Sequence, residues 1–342
     1  MQLRIAVLGG TRFIGRRIVD ELVDAGHEVV VVHRGQSHPP GLPDVPHLHA
    51  NRLALGEVRD ELAAFDPEAV LDCAAFGAAD AEAVLGAFPD DGVRLAVLSS
   101  MDTYRAYGAL HAGGVTDAMP VDETSPVRPE RFPYRGKVPG MDDYEKLEVE
   151  ERWLARGGTV LRLPMVYGEH DYQRREEFVL RRVRAGRKQI PIGAGNGLLT
   201  HGYVGDVARG VRLAIESSKT SGEVFNLGET RTPTVALRAR WILDAAGSDA
   251  ELVRVPDDAL PPDLGITGAI PQHLLVDSSK ARRVLAWEPA DPLDTVRRSV
   301  EWHLANPPGP APAGEVPDAD PFDADDQALA RAIRDDASAA TA

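Results

Sequence analysis

The stretch Ala6-Val7-Leu8-Gly9-Gly10-Thr11-Arg12-Phe13-Ile14-Gly15 decides how this chain is read. An apolar run, Arg4–Leu8, ends in paired glycines, and a further glycine, Gly15, falls where helical periodicity begins. Ile14, Ile18 and Leu22 then recur every four residues, and Gly26 stops the helix. A turn between a buried strand and a helix presents free backbone N–H groups and the positive end of the helix dipole, an anion site suited to a diphosphate. Glycine is required there because a β-carbon would block the phosphate or the helix–strand contact. A lone glycine pattern says little. With a strand before it and a helix after it, the pattern points to dinucleotide binding. Gly9, Gly10, Arg12, Phe13, Ile14 and Gly15 are the candidate diphosphate-binding residues.

The next strand candidate, Val29–His33, runs into His33-Arg34-Gly35. A site for the non-phosphorylated dinucleotide places an acid here to hold the ribose hydroxyl. Arg34, with Arg12 inside the turn, offers two guanidinium groups and no carboxylate, which favours NADP(H) over NAD(H). Further strands are expected at Ala69–Cys73, Arg94–Ser99 and Thr159–Leu163. They alternate with helical patterns, the order that builds a parallel sheet covered on both faces. One helix is expected over Asp143–Ala155, closed by Gly157-Gly158; after Tyr167 others follow near Val207–Glu216, Val235–Ala246, Ser278–Leu285 and Leu293–Leu304. The expected class is α/β. Residues 1–167 form the dinucleotide-binding domain, with return segments near 200–228, and 168–305 form mainly a smaller, discontinuous substrate domain. Residues 306–342 are an acidic Pro/Ala-rich tail expected to stay disordered.

A net charge of −15, of which the tail holds eight acids against two arginines, argues against general nucleic-acid or anionic-membrane binding. No run approaches the roughly 18 apolar residues of a membrane span. The N-terminus shows no apolar leader, and a single cysteine, Cys73, excludes an intramolecular disulfide. A cytoplasmic protein is expected. His47 and His49 alternate on a strand without a third ligand nearby, so no metal site is expected. Cys73 reads as packing, and no serine sits in a nucleophile-elbow context.

Over about residues 3–305 the segments, in order, resemble the extended or atypical extended short-chain dehydrogenase/reductases, the NAD-dependent epimerase/dehydratase family. Besides LGGTRFIG, the resemblance rests on Asp72-Cys73-Ala74-Ala75, on Ser99-Ser100 followed by Tyr104, and on LRLPMVYG (161–168). YVGDVARG with Asp206, GEVFNLG with Asn226 and DSSKARRVLAWEP complete it. The resemblance implies a Rossmann-type doubly wound sheet, a nicotinamide cofactor, and redox chemistry on a hydroxyl or carbonyl of a small molecule. It also implies a homodimer. Ala74 and Ala75 would flank the middle of the cofactor, Pro164 its nicotinamide, and Asn51 would stand near the adenine where relatives often carry an acid. Ser100 would orient the substrate oxygen and Lys146 the nicotinamide ribose.

In this family a tyrosine stands four residues before the lysine, on the same helical face, and its phenol exchanges a proton with the substrate while hydride moves. Here Asp142 occupies that position; Tyr144, two residues before Lys146, falls about 200° around an ideal helix. Three arrangements fit these residues. Asp142 replaces the phenol or forms an ordinary i, i+4 ion pair with Lys146; Pro139-Gly140 restarts the chain so that Tyr144 or Tyr134 reaches the cofactor; or the protein binds cofactor without tyrosine-dependent chemistry. Sugar-nucleotide members often carry an arginine where this chain has Leu198-Leu199-Thr200, which weakens that substrate class. The basic run Arg174–Lys188 reads as a solvated helix face or as a receiver of an anionic substrate. The alternative function is a non-catalytic NADP-binding regulator or an RNA-associated protein, since GGTRFIG also resembles the turn of chloroplast stem-loop RNA-binding relatives.

Overall fold

A computed structural model describes residues 2–36, 39–89, 92–309 and 322–339. The first half runs β1 (Arg4–Leu8), α1 (Phe13–Asp24), β2 (Glu28–His33), β3 (His47–His49), α2 (Arg59–Phe65), β4 (Ala69–Asp72) and α3 (Ala78–Ala87). β5 (Arg94–Ser100), α4 (Arg105–Ala112), α5 (Lys146–Ala155) and β6 (Thr159–Leu163) follow. The second half is β7 (Met165–Tyr167), α6 (Glu177–Arg184), β8 (Gln189–Ile192), β9 (His201–Tyr203), α7 (Val204–Glu216) and β10 (Val224–Asn226). Then come α8 (Val235–Ala245), β11 (Glu251–Arg254), α9 (Ser279–Leu285), α10 (Pro292–Ala305) and α11 (Asp323–Ala339).

The five expected strands form, three of them shifted by one residue at one end. They belong to a seven-stranded parallel sheet in the order β10-β6-β5-β4-β1-β2-β3. The apolar strands are buried because both faces are covered. Ile18 and Leu22 of α1 pack with Val207 and Val211 of α7 on one face; Val84 of α3 with Val149 and Trp153 of α5 line the other. Strand order reverses between β1 and β4, and ligands of such sheets bind in the crevice outside the carboxyl ends at that point. The chain leaves the sheet after β6 and returns through β9 and α7 to add β10 on its edge. Two small parallel pairs, β7–β9 and β8–β11, lie outside the central sheet.

One expectation is corrected here. The tail is helical over 323–339 instead of disordered; residues 310–321 and 340–342 lie outside the described residues. Composition misled because the ordering energy comes from elsewhere in the chain. Ala328 and Ala332 pack on Val255, while Asp325 pairs with Arg182 at 2.6 Å and Asp326 with Arg187. Most of the basic run Arg174–Lys188 is likewise ion-paired within the chain, while Arg184 and Lys188 stay exposed and Arg174 lines a cavity with Arg12 and Tyr172. Arg182, fully buried, also holds Asp263 at 2.7 Å; Arg181 pairs with Asp263, Arg184 with Glu177 and Lys188 with Asp249. Arg174 donates to the carbonyls of His303 and Asn306, and Arg175 to that of Val166.

Candidate active site

The turn after β1 is shaped by what its glycines admit. Gly9 sits at φ +88°, in the left-handed region, and a β-carbon on Gly15 would lie 2.2 Å from the Gly9 carbonyl oxygen. Gly10 lets Val19 of α1 approach β2. No side chain caps α1, so its first N–H groups are left to the mouth of the turn. Ile14 packs on the core. Phe13 meets Tyr172 edge-on, and the exposed Arg12 guanidinium lies 4.8 Å above the same Tyr172 ring. Arg12, Arg16, His170, Tyr172 and Trp302 border a cavity of about 240 Å³ beside the turn.

Ala74 stands against Gly9 across the crevice. Its position is set by the fully buried Asp72, which accepts from the Ala74 N–H at 2.9 Å and from two Arg52 nitrogens at 3.0 and 3.2 Å. Pro164 is buried beside Gly202. Arg34 is exposed just beyond β2. Asn51 is exposed too, but its Oδ1 accepts from the Leu53 N–H, so the oxygen expected near an adenine caps the following helical turn. The fold brings His33 to His47 (3.0 Å between ring nitrogens) and to His49, a meeting the sequence did not announce. Among the described residues no group of three His, Cys, Asp or Glu could hold a metal. Burial pushes the Cys73 thiol far up, against a nucleophilic role.

Ser100 ends β5, and its Oγ accepts from the Asp102 N–H at 3.2 Å. Lys146 is buried, and its Nζ donates to the carbonyls of Ala75 (2.6 Å) and Leu98 (2.9 Å). An ammonium has three donors, so one remains. Burial pulls the Lys146 pKa down, opposed by the charges of Asp102 and Asp72.

The helix expected from Asp143 starts only at Lys146, so neither Asp142 nor Tyr144 lies on it. Asp142 is exposed, and its Oδ1 accepts from the Gly136 N–H; the Asp142–Lys146 pair does not form. Tyr144 is buried before the helix and donates its phenol to Asp102 Oδ2 at 2.7 Å, and Tyr134 donates to the same oxygen at 3.1 Å. Three contacts hold this geometry. A β-carbon on Gly77 would lie 2.4 Å from the Asp143 carbonyl oxygen, so only glycine lets the strands of loop meet. The Glu145 N–H donates to the Phe76 carbonyl at 2.7 Å. The buried Arg128 grips Glu145 through both terminal nitrogens (2.6 and 3.0 Å) and donates Nε–H to the Asp102 carbonyl. Glu145 in turn caps α5. Sequence reasoning gave no role to Asp102, Arg128 or Gly77, although Asp102 stood out by its position two residues past Ser100.

Burial and the neighbouring Asp102 charge push the phenols of Tyr144 and Tyr134 well above the usual tyrosine range. Burial also raises the Asp102 carboxyl, countered by the phenol hydrogen bonds and by the charges of Arg128 and Lys146. A hydroxyl, an ammonium and a phenol-bound carboxylate thus converge at the carboxyl edge of the sheet, beside the turn.

The chain is 28% identical over 306 residues to the chloroplast stem-loop binding protein of 41 kDa b of Arabidopsis thaliana, with 84% of this chain and 75% of that protein covered. It is 26% identical to a UDP-glucose 4-epimerase of Streptococcus mutans, with 90% and 98% covered. Among solved structures, a UDP-glucose 4-epimerase of Stenotrophomonas maltophila with bound NAD and formylated UDP-arabinopyranose matches at a TM-score of 0.69 and 20% identity. The match covers 89% of this chain and 98% of that one, and it is a likeness of fold. The model of the NAD dependent epimerase/dehydratase family matches residues 5–228, more than half of the chain, and the protein belongs to that family.

Proposed function

We propose that this protein is a nicotinamide-dinucleotide-dependent oxidoreductase or epimerase/dehydratase that acts on a hydroxyl or carbonyl group of a small molecule and prefers NADP(H). The observation that carries the reading is the cradle at Gly9–Gly15, where a β-carbon at Gly15 would strike backbone and an uncapped helix start opens onto the crevice. Uncapped N–H groups with glycine clearance fit a diphosphate. When bound, the nicotinamide donates or accepts hydride. Arg34 and Arg12 hold the 2′-phosphate, Ala74 and Ala75 line the middle of the cofactor, and Pro164 faces its nicotinamide end. The remaining N–H of Lys146 binds the ribose and Ser100 orients the substrate oxygen. Leu198-Leu199-Thr200, free of charge, favours a substrate other than a sugar nucleotide. Assembly as a homodimer belongs to the same reading and is checked by sedimentation.

Equilibrium titration of ligand-free protein should show NADPH binding at least about tenfold more tightly than NADH, the worth of one charge-assisted hydrogen bond. Equal affinities would remove the 2′-phosphate assignment, and uptake of neither would remove the whole reading. The likeness to a stem-loop binding protein supports the alternative, a cofactor-binding protein associated with RNA. The charge of −15 opposes it, and a gel shift of structured RNA at low salt decides.

A further inference from the structure

Tyr144 does not stand one helical turn before Lys146, and its phenol is engaged by a carboxylate. That carboxylate is only 4% exposed. Its two oxygens differ: Oδ2 receives both phenols, whereas Oδ1 is buried with no hydrogen-bond partner. A buried polar atom without a partner is costly and calls for a ligand or functional explanation. Asp102 follows Ser100, the residue placed to orient the substrate oxygen, and the Ser100 hydroxyl is already bound to the Asp102 N–H.

We propose that Asp102 is the acid–base residue of this site, with Oδ1 exchanging the proton of the substrate hydroxyl while Tyr144 and Tyr134 stay protonated and position Oδ2. The proposal rests on the dinucleotide reading above and names the group that reading leaves open. In the oxidising direction the substrate O–H bond breaks and its proton passes to Oδ1. The C–H bond breaks as hydride leaves for the oxidised nicotinamide, and a C=O bond forms. Reduction reverses each step, with Asp102 starting as the carboxylic acid.

The groups facing Asp102 set its titration. Tyr144 and Tyr134 donate to Oδ2, Tyr107 stands behind Tyr134 at 3.4 Å, Arg128 binds the backbone carbonyl, and the Lys146 ammonium is nearby. Burial raises the carboxyl, so it holds a proton at higher pH than an ordinary aspartate, and its charge keeps both phenols neutral. Oxidation needs the ionised carboxylate, so its rate should rise with pH through the Asp102 titration, without an alkaline limb from a phenol.

The full chain and its Asp102→Asn and Tyr144→Phe variants separate the candidates without any cofactor. In infrared spectra of protein with labelled aspartate carboxyls, where burial raises Asp20, Asp171 and Asp206 as well, the Asp102 group should titrate above the ordinary carboxylate range. It should vanish in Asp102→Asn and move higher in Tyr144→Phe, which loses a donor to Oδ2. Ultraviolet titration should find no tyrosine of the trio ionising near neutrality, and phenol ionisation should move down in Asp102→Asn. With NADPH and 4-nitrobenzaldehyde as a carbonyl probe, Asp102→Asn should lose about 10²–10⁴-fold in kcat. Tyr144→Phe should lose only about tenfold, as for one hydrogen bond. A phenol ionising near neutrality that Tyr144→Phe removes, or turnover that survives Asp102→Asn, overturns the proposal. So does wild-type protein inert toward the aldehyde with NADPH bound. Failure to bind NADPH at all would instead count against the dinucleotide reading, while the two titrations would still decide the state of Asp102.

Discussion

The glycine turn and the Asp102 cluster sit side by side on one edge of one sheet, yet they are made in opposite ways. The turn lies within one contiguous stretch, Gly9–Gly15, whose constraints are steric: Gly15 against the Gly9 carbonyl, Gly10 against Val19. The cluster draws Ser100 and Asp102 from the end of β5, Arg128 and Tyr134 from a long loop, Tyr144 and Glu145 from the approach to α5, and Gly77 from the start of α3. Main-chain clearance leaves a mark on adjacent letters of a sequence. Side-chain convergence does not.

The comparison breaks first at Gly15→Ala. Its β-carbon would meet a backbone oxygen that cannot retreat without dismantling the turn. NADPH affinity should fall by more than about a hundredfold, with a lowered melting temperature, as overpacking costs about 1–3 kcal/mol or more. Wild-type affinity in this variant would show that the turn is not the binding element. Gly77→Ala applies the same kind of clash to the other region, against the Asp143 carbonyl. It should displace Tyr144 from Asp102 and lower turnover by about tenfold, in line with one lost hydrogen bond, with NADPH affinity nearly unchanged. Equal losses of binding and turnover would mean that the two regions form one cooperative unit.

A third change serves as the contrast outside both regions. Asp325→Asn removes one of the two carboxylates on the buried Arg182 guanidinium. Breaking a buried pair costs about 3–5 kcal/mol, and with Asp263 still in place roughly half of that is expected, read by chemical denaturation. Binding of NADPH should not change. Acid should loosen the same junction. Burial alone would raise Asp263, but hydrogen bonds and charge from Arg182, with Arg181, outweigh it and hold its carboxyl below the ordinary value. A depressed folded-state pKa means stability that is present above the unfolded value and lost as pH falls through the folded one. Stability read by chemical denaturation should therefore fall on this account only below about pH 4, near the ordinary aspartate pKa. The smallest effect is expected at Arg34→Ala. This exposed side chain should give up about tenfold in NADPH affinity and nothing in NADH affinity, as one charge-assisted contact would.

Apolar runs and four-residue spacing were enough to read β1, α1, β2, β4, β5 and β6, because burial on both faces leaves strands no choice of residue. The start of α5 was misread. Asp143, Asp142 and Tyr144 all suit a helix, but the Arg128–Glu145 pair and the Glu145–Phe76 bond, both long-range, hold the segment out of it. Placed by the fold at the carboxyl edge of the sheet, Lys146 and Ser100 were singled out through their family register alone. Asp102 was given no role, since a carboxylate becomes informative only when two phenols from distant segments arrive on it. The tail failed for a related reason: its carboxylates look solvated until the arginines of α6 are placed beneath them.

The seventh strand has a consequence for how the molecule is born. β10, at Val224–Asn226, covers an edge of β6, whose five residues are all buried in the finished sheet. On the ribosome β6 emerges some sixty residues before its neighbour. For that interval a nascent chain offers an apolar, unpaired rim to any extended peptide nearby. The last-added short strand is thus the piece that closes the nascent protein against self-association.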